Sequence, residues 1–348
     1  MMRTSAVMRL GVFFITLFAL PLQASEVDSF THRHALKDSA PLLNQVVNVW
    51  MEEAVIDANK PPLIADFTAD MTADEPSPGC DETRLMSALK DHLAAYLVGQ
   101  LESFANESTA LDTIKTPFSD SIYRDFDFTE TPSISLTERL AVLLRIGDTY
   151  LGADKLGHFF SEGFAYYERY LADGEQSALL YGDLTESSYF GELTTGIFSF
   201  ADLTANLNGL RFWNSIRAKK ADPIDRSRQV QPYIVCHNHQ WKRVREFDWN
   251  DYVDDAWDEV INCNGYRDAS LMQKAQNRIR QVSAGNACPL LPAAKAQLLQ
   301  KYGRLLPSVF NAKGPRVLKS FNRSLQQYWE EIARKLDLAL DQVKPSNE

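Results

Sequence analysis

Apolar residues recur every three or four positions along most of the chain, which is the pattern of amphipathic helices. Strict alternation of apolar and polar residues is rare, and residues 122–128 (IYRDFDF) are the one candidate strand. One predicted helix begins near Pro41. The others span 85–104, 135–146, 154–172, 198–214, 250–262, 268–282, 292–304 and 322–342. The pattern predicts a mainly α fold, an irregular helical domain with a central antiparallel helix pair and few or no strands.

The first residues have the order of a secretory signal peptide. Arg3 and Arg9 precede the apolar run at 10–20, and Leu22-Gln23-Ala24 has the small-residue character of a cleavage site. The apolar run is too short to span a bilayer comfortably, although a retained anchor is the alternative interpretation. We therefore expect cleavage near Ala24 and export to the periplasm.

The remaining chain is expected to divide near Asp222-Pro223. Residues 25–222 would form a helical domain that carries the most distinctive motif, and residues 223–348 a C-terminal helical region with disulfides. No stretch after residue 24 has the apolar length of a transmembrane helix.

Composition narrows the class of protein and of partner. The chain of 348 residues is 45% apolar, which is far too high for a disordered protein. The net charge is −10, and removal of residues 1–24 would take away two arginines and no acidic residue, giving −12. An acidic chain is not expected to bind nucleic acid. Association with the envelope or a membrane surface stays open, and the oligomeric state is not indicated.

Four cysteines follow the predicted cleavage site, and an even number in an exported chain indicates two disulfides. Of the three connectivities we favour Cys263–Cys288, which closes a short loop, and therefore Cys80–Cys236. The alternative is a metal site made by Cys236, His237, His239 and Cys263, but these residues lack C-x-x-C spacing.

The residues that could carry chemistry lie in two predicted helices. Asp154, His158 and Glu162 follow one another at a spacing of four, so they share one stripe of a helix. Asp202 and Asn206 share an arc of the second helix with small residues, which allow close approach of two backbones. Packing of the two faces would close a semi-buried cluster; the alternative is that these charges are solvated on surface helices.

The segments D-K-x-G-H-F (154–159) and F-S-x-x-D-L-x-A-N-x-x-G (198–209) resemble the paired signature of VanZ-like proteins. They are equally similar to a group of small uncharacterised bacterial envelope proteins. VanZ-like proteins hold this signature in membrane-spanning segments, whereas this chain has none after residue 24. The resemblance implies that the functional positions are Asp154, Lys155, His158, Asp202, Asn206 and Gly209, with Glu192 as a looser match.

Two functions follow as hypotheses. In the first, the protein is a non-enzymatic envelope protein whose paired motif is a polar lock between helices. In the second, it is a periplasmic hydrolase of envelope lipid, glycan or phosphate-bearing material. There Asp154, His158 and Asp202 would act as acid and base or hold a divalent metal ion, the only cofactor indicated, and Asn206 would orient them. Lys155, Glu162 and Glu192 would be binding positions. A catalytic cluster must line a cleft, whereas a lock is closed.

Overall fold

The computed structural model describes residues 26–61, 79–94, 99–187, 191, 195–283, 288 and 293–318. Helices account for about 52% of these residues and strands for 10%, distributed over several small sheets. The expected mainly α class with few or no strands is therefore wrong, and the protein is a mixture of helices and small sheets. The predicted signal peptide (1–24), the helix at 322–342 and Glu192 lie outside the described residues.

Eleven helices are present in the described part of the chain. Helices α1 to α11 are Ala40–Asn59, Glu82–Leu93, Gln100–Glu107, Pro132–Thr137, Asp154–Gly157, Gly163–Asp173, Glu175–Glu186, Phe200–Arg217, Ala269–Val282, Ala293–Tyr302 and Leu306–Val309. Helix α5 continues into α6 through one π-helical turn, His158–Glu162. Single 3-10 turns occur at Phe118–Asp120, Trp249–Asp251, Asp255–Trp257 and Gly303–Leu305.

The strands form two hairpins and one small mixed sheet. Strands β1 to β7 are Leu143–Ile146, Thr149–Gly152, Ile197–Phe198, Ile234–His237, Gln240–Arg243, Gly265–Tyr266 and Arg316–Val317. Strands β1 and β2 pair antiparallel, as do β4 and β5. Strand β6 lies between β3, to which it is antiparallel, and β7, to which it is parallel.

The chain leaves the helical pattern where turns compete with it. The helix expected at 135–146 ends at Thr137, because Glu138 adopts a left-handed conformation. Gly147, also left-handed at φ +57°, then turns β1 into β2 through a two-residue loop. The candidate strand at 122–128 is a series of turns, and the helix expected at 85–104 is divided between α2 and α3.

The helix expected at 250–262 is replaced by two short 3-10 turns and loops. Asp248, Asp254 and Asp258 each accept a hydrogen bond from the backbone N–H two residues later. Such side-chain bonds offer the backbone an alternative to the helical ladder. The apolar side chains of this segment therefore pack into the core although the segment is not a helix, and Trp249 and Trp257 are both buried.

Helix α8 is the central element, and all but two of its residues are buried. It packs along α5–α6: Lys155 contacts Asp202 near the start of both, and Gly163 contacts Gly209 further along. The two helices therefore run parallel, and the expected antiparallel pair is wrong. The segment between them contains α7, and the chain returns along it toward the start of α5 before α8 begins.

Both predicted disulfides are present. Cys80 is bonded to Cys236, and Cys263 is bonded to Cys288. The alternative metal site is therefore excluded, because both of its cysteines are consumed by disulfides. The two bonds are consistent with a protein exported to an oxidising compartment.

The hydrophobic core draws on residues from both sides of position 222. Phe159 and Phe160 from the π-helical turn and Phe212 from α8 contact Phe247, which follows β5. The boundary expected near residue 222 stays a prediction about chain organisation. Within the described ranges, no helix is both long and apolar enough to cross a membrane.

Candidate functional site

A buried ammonium group lies at the centre of the paired motif. Lys155 in α5 is fully buried, and its Nζ donates to Asp154 Oδ2 at 2.6 Å and to Glu259 Oε1 at 2.8 Å. Its third carboxylate neighbour is Asp202 Oδ1, at 2.6 Å. These acids come from α5, from the first turn of α8 and from the loop after residue 257. One lysine therefore joins three parts of the fold.

The second charged group of the motif is His158, the first residue of the π-helical turn. Its Nε2 lies 3.1 Å from Asp202 Oδ2, and its Nδ1 lies 3.1 Å from the side-chain amide of Asn206. With the amide oxygen toward Nδ1, Asn206 accepts a hydrogen bond from the protonated ring. Glu162 is more distant, with Oε2 3.9 Å from Nδ1. Asp202 is thus shared between His158 and Lys155.

The close contact of the two helices depends on small residues. A Cβ atom on Gly209 would lie 1.9 Å from the carbonyl oxygen of Phe159, and one on Gly163 would lie 2.6 Å from Cα of Gly209. Trp213 secures the contact by donating from its indole N–H to the carbonyl of Phe160 at 2.9 Å. Any larger residue at either glycine would push the backbones apart.

The cluster contains three carboxyl groups that the sequence analysis did not place there. Glu186 Oε1 accepts a bond from the backbone N–H of Ser199 at 2.8 Å, and Glu259 Oε2 accepts one from Asn264 at 3.0 Å. Glu26 is also buried and interacts electrostatically with Asp202 and Glu259. No spacing in the sequence links these residues to the motif, because they are brought in by tertiary contacts from remote segments.

Both basic groups of the cluster are held in their charged forms. Burial by itself lowers the pKa of Lys155, but the charges of Asp154, Asp202 and Glu259 raise it well above its usual range. Burial likewise opposes charge on His158, and the charge and hydrogen bond of Asp202 raise its pKa well above 6.5. The ion pair with Asp202 therefore favours the imidazolium form of His158.

The pKa values of the acids in the cluster are shifted in opposite directions. Burial opposes ionisation of Asp202, but His158 and Lys155 hold its pKa well below its usual range. Burial, reinforced by the charge of Asp202, raises the pKa of Glu26 to about 8. Burial also raises the pKa of Glu259 to about 7 and that of Glu186 well above its usual value. Retained protons limit the negative charge that the interior must hold.

The cluster does not suit a divalent metal ion. The position between the three carboxylates, where a cation would bind, is filled by the ammonium group of Lys155. A protonated His158 has no lone pair to offer a metal. Among the described residues, no three His, Cys, Asp or Glu side chains are arranged to hold a metal ion.

The structure brings together most of the residues that the sequence singled out. Asp154, Lys155, Asp202 and Asn206 are buried in one cluster, with His158 beside them. The side chains of His158 and Glu162 are 16% and 18% exposed. Among the described residues of the motif, these two therefore form the edge of the cluster that faces solvent. The other members of the cluster that the structure describes are buried.

Comparison with protein-family models, with curated proteins and with solved structures finds no match to this chain. The resemblance to VanZ-like proteins therefore depends on the residues of the paired motif alone.

Proposed function

We propose that this protein is an exported bacterial envelope protein, located in the periplasm, whose paired motif is a polar lock. The lock consists of Lys155, Asp154, Asp202 and Glu259, and it joins α5, α8 and the loop after residue 257. The observation that carries the proposal is the position of Lys155 Nζ, buried within 2.6–2.8 Å of three carboxylates. The two disulfides support export.

Burial favours a lock over a catalytic centre. A general acid or base must reach a substrate, yet Lys155 and Asp202 are at most 4% exposed. Their charges are already used in short ion pairs with each other. Breaking such a pair leaves an uncompensated charge in the interior, which costs about 3–5 kcal/mol. The arrangement therefore supports a single packing of the helices.

A periplasmic hydrolase is the second candidate, because the cluster has one partly exposed edge. His158 and Glu162 lie at that edge, and a protonated His158 next to Asp202 could act as a general acid. The substrate would have to bind over the π-helical turn, with the rest of the cluster setting the charge of His158.

The lock is tested by the variant Lys155→Met, which keeps much of the side-chain volume and removes the charge. We expect a loss of about 3–5 kcal/mol in the free energy of unfolding, measured by urea denaturation, because three carboxylates lose their shared cation. The matched control is Lys219→Met, since Lys219 forms a partly exposed ion pair with Glu82. That variant should change stability by no more than about 1 kcal/mol.

Equal stability of Lys155→Met and Lys219→Met would contradict the lock. Metal analysis of the purified protein addresses the hydrolase. A stoichiometric divalent metal that is retained by the wild type and lost from His158→Ala would favour a metal-dependent site.

A further inference from the structure

A small cavity lies apart from the paired motif, beside the C-terminal half of α8. It has a volume of about 20 Å³ and lies between α8, the loop after Asp222 and the segment that follows β5. Three arginines line it, Arg211, Arg228 and Arg245, together with Tyr252. Such a concentration of guanidinium groups is unexpected in a chain with a net charge of −10.

The charges around the cavity do not cancel. Arg211 is neutralised by Asp222, whose two carboxylate oxygens lie 3.1 Å from its Nε. Arg228 interacts electrostatically with the exposed Asp225, and among the described residues no carboxylate lies within 4.0 Å of Arg228 or Arg245. The remaining acid in the lining is Asp251, which is exposed. The residues that line the cavity therefore carry a net charge of +1, from three arginines and two aspartates.

Hydrogen-bond donors also remain available. The Nε atom of Arg245 is buried and has no hydrogen-bond partner, while its guanidinium stacks 3.6 Å above the ring of Tyr233. The hydroxyls of Tyr233 and Tyr252 are 2.9 Å apart, and only one of them can donate to the other. A buried N–H without an acceptor is unfavourable, so an acceptor bound in the cavity would offset that cost.

We propose that this cavity binds a phosphoryl oxyanion, a site that goes beyond the polar lock. The planar fork of Arg245 and the charge of Arg228 match the oxygens of a phosphate group. A volume of 20 Å³ holds little more than one water-sized group, so one or two phosphate oxygens enter and the rest of the ligand stays at the mouth. Free inorganic phosphate and a phospholipid headgroup share this chemistry.

The test uses the mature protein and inorganic phosphate in isothermal titration calorimetry, with acetate as a second anion. Arg245→Gln and Arg228→Gln are each expected to weaken phosphate binding by about 10- to 100-fold, the value of a charged hydrogen bond. Arg226→Gln is the matched control, because Arg226 lies in the same loop but pairs with Glu175 and does not line the cavity. Arg228 is exposed, so that variant remains informative if Arg245→Gln folds poorly.

Sedimentation with phosphatidylglycerol vesicles, with phosphatidylcholine vesicles as the control, distinguishes a phospholipid headgroup from free phosphate as the ligand. Phosphate binding that is lost in Arg228→Gln and kept in Arg226→Gln supports the site with free phosphate as ligand. Binding to phosphatidylglycerol alone, with the same dependence on Arg228, supports it with a headgroup as ligand. The proposal is overturned if neither ligand binds, if acetate binds as tightly as phosphate, or if binding is equal in the two variants. The Lys155→Met result does not bear on this outcome.

Discussion

Asp202 determines the ionisation of the paired motif because it faces both of its basic groups. Its two oxygens lie 2.6 Å from Lys155 Nζ and 3.1 Å from His158 Nε2. The carboxylate thereby remains ionised in the interior, where an isolated charge would be too costly. Glu26, Glu186 and Glu259 are less well compensated, and burial raises their pKa values. The lowered pKa of Asp202 therefore contrasts with the raised pKa values of the three glutamates.

At this scale we predict the effect of Asp202→Asn, which keeps the shape of the side chain and removes its charge. The pKa of His158 should fall, because Asp202 makes the largest favourable contribution to its imidazolium form. The free energy of unfolding should fall by about 1–3 kcal/mol, since buried partners lose a charged acceptor. NMR titration of the histidine ring protons measures the first change and urea denaturation the second.

Glu162→Gln provides the comparison for that experiment. Glu162 lies 3.9 Å from His158 and is partly exposed, so its replacement should move the pKa of His158 less than Asp202→Asn does. A larger effect at Glu162 would show that the outer edge, and not the buried pair, controls His158.

The helices illustrate what periodicity can and cannot establish. Spacing alone located α1, α8, α9 and the continuous α5–α6 to within a few residues. It failed over 250–262, where aspartates bond to the backbone, and over 138–146, where the chain leaves the helix and enters the first strand of a hairpin. The sequence also could not predict that α5–α6 and α8 run parallel, because their relative direction depends on how the intervening α7 packs.

The contact between α6 and α8 leads to a second prediction, for Gly209→Ala. Alanine normally stabilises a helix interior by about 1 kcal/mol relative to glycine. Here its Cβ would lie 1.9 Å from the carbonyl of Phe159, so the helices must separate. We expect a net loss of about 1–3 kcal/mol in the free energy of unfolding, measured by urea denaturation.

Gly163→Ala should act on the same contact, because each glycine faces the other. Once one alanine has separated the helices, the second should cost less, so the double variant should be more stable than the sum of the single losses predicts. Additive losses would indicate that the two glycines act independently and would contradict a shared close approach.

At the scale of the whole molecule, the sequence predicted the residues of the paired motif but not the acidic residues that surround them. Asp154, His158, Asp202 and Asn206 were found because they lie on two helices with recognisable spacing, and Lys155 was found only through the resemblance of the motif to VanZ-like proteins. The further carboxyls come from the segment before α1, the end of α7 and the loop after residue 257: Glu26, Glu186 and Glu259. Only the tertiary fold places such distant groups together, so a single sequence contains no local signal for them.

These remote acids make the stability of the whole protein depend on pH. Burial raises the pKa of Glu26 to about 8 and that of Glu259 to about 7, above the ordinary value of 4.5. Between 4.5 and these values the folded protein binds more protons than the unfolded chain, so stability falls as pH rises. His158, whose pKa is also raised, acts in the same direction. Asp202 acts oppositely, because its lowered pKa removes stability only as the pH falls below its ordinary value of 3.8.

We therefore predict maximal stability at mildly acidic pH, with a decline of about 3 kcal/mol per pH unit from about pH 5 to pH 7, because Glu26 and Glu259 each contribute about 1.4 kcal/mol per pH unit over that range. Urea denaturation at successive pH values measures this slope. Glu26→Gln removes one titrating carboxyl and keeps a neutral side chain of similar shape, so its slope should be shallower by about 1 kcal/mol per pH unit. As a control, Glu53→Gln replaces a half-exposed acid of α1 and should leave the slope unchanged. Stability that rises over this range would mean that the cluster does not retain its protons in the folded protein.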